Sequence, residues 1–126
     1  MLKDSKAFSG FSVKDLPAAK QFYNQTLGLD VEDGPMGLKI ILGGGNSVFV
    51  YSKDDHQPAS YTILNFPIDN IDQAVDELAA KGVKFEQYPE MTDAKGVARG
   101  IAHNRGPDIA WFKDPSGNIL SVLQEA

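Results

Sequence analysis

Two stretches of this chain repeat one another, and the repeat narrows the available folds more than any other feature. Phe11-Ser12-Val13-Lys14-Asp15-Leu16 is echoed 55 residues on by Phe66-Pro67-Ile68-Asp69-Asn70-Ile71. Leu27-Gly28-Leu29-Asp30-Val31 is echoed 54 residues on by Lys81-Gly82-Val83-Lys84-Phe85. A nearly constant offset between spaced motifs marks two copies of one supersecondary unit. Within 126 residues this leaves a single domain, 1–126, made of two modules at about 6–52 and 60–125, with no length for a second core.

Each copy carries a helix signal after its first motif. Asp15 is placed to accept free amide hydrogens of an opening turn, and Pro17 is tolerated there. Ala19, Phe22, Tyr23 and Leu27 then follow a helical spacing that Gly28 ends. In the second copy Asn70 followed by Gln73 predicts a capping box. Ile71, Ala74, Val75, Leu78 and Ala79 recur at the spacing of one buried face before Gly82. Both helices are short and one-sided, so each must lie on a sheet supplied by the flanking segments.

Those segments read as strands at about 8–13, 29–32, 38–42 and 47–51, and again at about 61–68, 83–88, 108–113 and 118–123. Gly43-Gly44-Gly45-Asn46 and Asp114-Pro115-Ser116-Gly117-Asn118 have the composition of turns between the last two strands of each copy. The expected class is α+β, with two βαβββ modules. The most irregular stretch, about 90–107, is the expected loop over any ligand.

Composition removes several functions. Twelve Lys and Arg against seventeen Asp and Glu give a formal charge of −5, which repels phosphate backbones and anionic lipid surfaces. No nucleic-acid or membrane partner is expected. Cysteine is absent, which removes thiol catalysis, disulfides and cysteine-bound metal, and suits a cytoplasmic location. No run approaches the roughly 18 apolar residues of a membrane span, and Met1 to Phe8 does not read as a signal peptide.

Individual residues allow several chemistries. The glycine run is followed by a strand, whereas a phosphate cradle opens a helix, so a hairpin turn is expected there. Asp54-Asp55-His56 offers metal-binding side chains, but consecutive loop residues rarely converge on one ion. His103 beside Arg105 is suited to an anionic ligand, the alternative being a solvated loop. Arg99, between Gly96 and Gly100, is either a ligand contact or a surface salt bridge. Strand alternation places Trp111 on the face opposite Phe112, as a pocket wall or as core. No Ser-His-Asp set or close carboxylate pair is evident, and no catalytic residue is assigned.

Phe11-Ser12-Val13-Lys14-Asp15-Leu16 with Phe22-Tyr23 and Leu27-Gly28-Leu29, then Phe66-Pro67-Ile68-Asp69-Asn70-Ile71, then Phe112-Lys113-Asp114-Pro115-Ser116-Gly117-Asn118 together resemble the vicinal oxygen chelate superfamily. That superfamily includes glyoxalase I, bleomycin resistance proteins, fosfomycin resistance proteins and extradiol dioxygenases. The resemblance covers nearly the whole chain. It implies paired βαβββ modules with curled mixed sheets forming half-barrels, commonly completed as a homodimer, with ligand sites in the concavities.

The family's enzymes usually hold a divalent metal with His, Gln or Glu from the first and last strand of each module. By motif spacing those positions fall here on Phe8, Ile63, Ser121, and Val50 or its neighbour Phe49. None offers imidazole or carboxylate, so neither metal nor other cofactor is expected. The resemblance then favours the bleomycin resistance branch: a homodimeric protein sequestering a small molecule. Phe8, Ile63, Val50 or Phe49, and Trp111 would supply apolar surface, while Ser12, Asn65 and Ser121 would supply hydrogen bonds. Arg99 and His103 complete the expected ligand set. The competing expectation is a metal-dependent lyase or dioxygenase with an atypical site around His56, His103 and acidic neighbours. A third is an interaction module whose cavity Phe8 and Phe49 fill.

Overall fold

A computed structural model of the protein describes residues 1–126. The chain divides into two compact modules, Met1–Gln57 and Pro58–Ala126. In module 1 the order is β1 (Ser9–Val13), α1 (Leu16–Gln21), β2 (Asp30–Asp33), β3 (Leu38–Ile41) and β4 (Ser47–Ser52). Module 2 has β5 (Thr62–Pro67), α2 (Ile71–Ala80), β6 (Val97–Arg99), β7 (Asp108–Lys113) and β8 (Ile119–Gln124). The sheets are ordered β1-β4-β3-β2 and β5-β8-β7-β6. In each, the first and last strands of the module pair in parallel and the remaining pairs are antiparallel. The expected α+β repeat of mixed sheets is therefore present, and neither sheet closes into a barrel. No helix is long and apolar enough to cross a membrane.

Both helices start where a side chain satisfies an amide hydrogen that the first turn leaves over. Asp15 Oδ1 accepts from Ala18 N at 3.0 Å, and Asn70 Oδ1 accepts from Gln73 N at 3.0 Å. The capping box is only half made, because Gln73 Nε2 donates to Glu77 Oε1 at 3.0 Å instead of reaching back. Gln124 of β8 fills part of the gap, its Oε1 accepting from Ile71 N at 2.9 Å. The first helix runs on from Gln21 as a π-helical turn, Phe22–Thr26. Gly28 then follows at φ +73°, a conformation open to glycine.

Strand alternation gives each sheet a buried face and an opposite face. In module 1 the buried face carries Leu38, Ile40, Val48 and Val50, and Ala19 and Tyr23 are also buried. In module 2 it carries Val97, Ala110, Phe112, Leu120 and Val122, and α2 lies against β7 and β8 with Ile71 and Val75 buried.

Three expectations on strands need correction. The segment at 83–88 is not a strand: Phe85 makes one antiparallel bridge to Phe112, and Glu86 N donates to Trp111 O at 2.8 Å. Pro89, lacking an amide hydrogen, closes that short pairing. The outer edge of β7 is instead shared, and β6, inside the stretch read as pure loop, pairs with its other end. Second, β1 begins at Ser9, leaving Phe8 outside it and 70% exposed. Third, β5 shifts register between Thr62 and Leu64, so Ile63 has no ladder partner.

Candidate ligand-binding site

On module 2 the face turned away from the buried core carries one polar-to-aromatic row. Asn65 of β5 is level with Ser121 of β8, and Ser121 is level with Trp111 of β7. Ser121 is fully buried, and its hydroxyl lies 2.5 Å from Asn65 Oδ1, a donation that satisfies it without water. The Trp111 backbone is held from both sides, by β8 and by the Glu86 amide. Tyr88 packs edge-on against the indole, with ring centroids 5.5 Å apart and planes at 79°, the geometry that ring quadrupoles favour. Trp111 remains half-buried, so its free surface forms a wall.

That wall opens on a pocket of about 900 Å³ bounded by Ile109 and Trp111, by β6, by the 90–93 turn and by the 100–107 turn. Tyr88 O accepts from Thr92 N at 3.0 Å, and Thr92 Oγ1 accepts from Tyr88 N at 2.9 Å, closing the first turn with Glu90 at φ +67°. Asp93 Oδ1 accepts from the amides of Lys95 and Val97, each at 2.9 Å. Partial burial acts to raise the Asp93 carboxyl, but the Val97 amide, Arg99 and the Lys95 amide outweigh it and hold the group below the usual carboxylate range.

Arg99 belongs to the wall and is held there by two carboxylates. Its guanidinium grips Asp72 of α2 with both terminal nitrogens, at 2.7 and 2.9 Å, while Nε donates to Asp93 at 3.0 Å. The Asp72 hydrogen bonds hold Arg99 well above the usual arginine value. The salt bridge, one of the two readings open in sequence, is formed. His103 lies on the 100–107 turn and lines the pocket. Of the ten expected ligand residues, Asn65, Ser121, Trp111, Arg99 and His103 thus fall on this sheet face or pocket. Tyr88, Met91 and Arg105 join them, although none of the three was in the expected set.

The others lie elsewhere. Val50 is fully buried opposite Leu38 in the core of module 1, and alternation puts Phe49 on the other face, where it stacks on Tyr51 at 5.7 Å. Ser12 is level with Tyr51 on that face, its hydroxyl 2.6 Å from His56 Nδ1, which fastens the segment after β4 to β1. The Gly43–Gly45 run is the turn between β3 and β4, as its composition predicts. The Asp114–Asn118 turn is closed by Asp114, which accepts from the amides of Ser116 and Asn118 at 2.9 Å each.

The divalent metal that the resemblance implies does not fit these residues. The four positions assigned to its ligands hold Phe8, Ile63, Phe49 or Val50, and Ser121. No group of three or more His, Cys, Asp or Glu side chains gathers as a metal site would need.

Similarity to known proteins agrees with this architecture. The Bacillus subtilis (strain 168) protein YraH is 26% identical over 127 residues, covering 89% of this chain and 91% of YraH. TnmS3, an antibiotic binding protein from Streptomyces sp. CB03234, superposes with a TM-score of 0.66 at 24% identity, covering 98% of each chain. The fosfomycin resistance protein FosX from Listeria monocytogenes superposes with a TM-score of 0.69 at 17% identity, covering 98% of this chain and 94% of FosX. Matched from residue 8 to residue 122, the chain belongs to the Glyoxalase/Bleomycin resistance protein/Dioxygenase superfamily.

Proposed function

We propose that this protein binds a small organic molecule in the module 2 pocket, without a metal, and acts by sequestering it. The observation that carries the reading is Trp111: a half-exposed indole, fixed by Tyr88 and by two flanking backbone segments, on the wall of a pocket of about 900 Å³. Small-molecule sites combine such apolar surface with a few placed polar groups, and His103 and Arg105 on the pocket's turn supply them. A resistance role is in keeping with two structural relatives, one an antibiotic binding protein and the other a fosfomycin resistance protein. The reading takes the working form as a cytoplasmic homodimer, which light scattering of the purified chain tests.

Trp111 is the only tryptophan, so its fluorescence reports the site directly. A library of antibiotics and planar metabolites is titrated against metal-stripped protein, beside elemental analysis of the protein as purified. Saturable quenching of one site per chain, unchanged by chelator, is the expected result. One tight ion per chain, with binding or turnover lost on chelation, would replace this reading with a metal-dependent one.

A further inference from the structure

The 100–108 turn is built to present charge. Gly100 O accepts from His103 N at 3.1 Å and from Arg105 N at 2.8 Å, and Asp108 Oδ1 accepts from Ile101 N at 3.0 Å. A Cβ on Gly100 would stand 2.4 Å from Pro107 O, so the backbone approaches itself too closely for any side chain there. His103 and Arg105 both line the pocket from this closed turn.

The pocket lining carries two acids, Glu90 and Asp93, and two arginines, Arg99 and Arg105, and only one of each is tied into an ion pair. Asp93 is committed to Arg99, and Arg99 to both Asp93 and Asp72. Of the remaining groups, Arg105 takes no part in the ion pairs that hold Lys20, Lys53, Lys95, Arg99 and Lys113. Glu90 on the opposite turn also takes no part in them. A guanidinium is always charged and offers a planar fork matched to two acceptor oxygens, a stronger directional contact than a single carboxylate at a rim supplies.

Resting on the pocket reading above, we infer that the ligand is a planar ring system bearing a carboxylate or similar oxyanion, the ring against Trp111 and the anion on Arg105. The test uses three probes of one shape and different charge: 2-naphthoate, 2-naphthylmethanol and 2-naphthylmethylammonium. Each is titrated calorimetrically and by the indole N–H resonance of Trp111, a single peak in this chain. Naphthoate is expected to move that peak and to bind about tenfold or more tighter than the alcohol, the scale of one charge-assisted pair. Arg105→Gln should bring naphthoate close to the alcohol's affinity and keep the rest of the amide spectrum. Glu90→Gln should tighten naphthoate. An alcohol or ammonium probe that binds as tightly as naphthoate overturns the anion inference and leaves the pocket reading standing. If no probe moves Trp111, both fall.

Discussion

Arg99 and Asp72 are joined by a two-pronged ion pair, Nη1 to Oδ2 at 2.9 Å and Nη2 to Oδ1 at 2.7 Å, that fastens the pocket's edge strand to the first turn of α2. Because β6 is only three residues long, few ladder hydrogen bonds hold it, and this pair together with Asp93 does much of the fastening. Arg99→Gln is therefore expected to speed amide hydrogen exchange over residues 90–99 while leaving β8 unchanged. Ligand affinity should weaken through a looser wall. Uniform acceleration across module 2 would show that the pair supports the whole fold instead.

Much of the fold is legible in the sequence, and its failures have physical causes. Asn70 and Gly82 bracket α2 correctly because cap chemistry is local, and the repeat supplies the strand order of both modules. The segment at 83–88 has strand composition, yet β7 has one free edge, and Val97–Arg99 takes the larger part of it; competition for a partner leaves no mark on composition. Ile63 is displaced by a register shift that alternation cannot foresee. The doubt between Phe49 and Val50 is resolved by pairing, which puts Val50 opposite Leu38. Arg99 looks available in sequence because Asp72, its main partner, lies 27 residues away. Trp111 and Ser121 stand level because β7 and β8 pair in an unbroken register, and Asn65 is level with Ser121 because the shift in β5 comes before it.

Gly100→Ala tests the site more than the scaffold. The added methyl group would meet Pro107 O at 2.4 Å and Gly106 O at 2.8 Å, both backbone atoms that cannot swing aside. The turn must shift, at a cost of about 1–3 kcal/mol typical of overpacking, and Arg105 shifts with it. Naphthoate should lose its advantage over naphthylmethanol in calorimetry while the secondary structure, by circular dichroism, is retained.

Gly37→Ala is the corresponding test of module 1. A Cβ there would lie 2.3 Å from Val50 O and 3.2 Å from the Phe49 ring, so β4 must move away from the β2–β3 turn. The expected loss is about 2–3 kcal/mol from urea unfolding, at the upper end for overpacking. The module 2 pocket should respond less, and Trp111 fluorescence of the folded state should stay as in the parent protein.

Asp114 closes the turn between β7 and β8 from a buried position, accepting from two backbone amides and from Asn118 Nδ2 at 2.9 Å. Asp114→Ala strands those donors in a site with little water, and each unsatisfied buried group costs about 1–3 kcal/mol. A loss of about 2–4 kcal/mol in urea unfolding is expected on that scale, making this one of the most damaging single substitutions outside the apolar core. A change below the scatter of the measurement would mean that the turn re-forms around water.

The ion pairs of α2 set an acid limit on stability. Hydrogen bonds from Arg99, and then from Lys95, hold the Asp72 carboxyl well below the usual carboxylate range. In the unfolded chain the same group titrates near about 3.9. Between those two values the unfolded chain binds more protons than the folded one, so stability falls as pH falls. The contribution is complete above the unfolded value and lost on descending through the folded one. Asp72→Asn should therefore be less stable than the parent protein near neutral pH, with the gap closing below about pH 4. Asp72 is half-exposed, so added salt should narrow the neutral-pH gap as well. Urea midpoints for both proteins across this range check the sign, and parallel curves down to about pH 2 would remove Asp72 from the account.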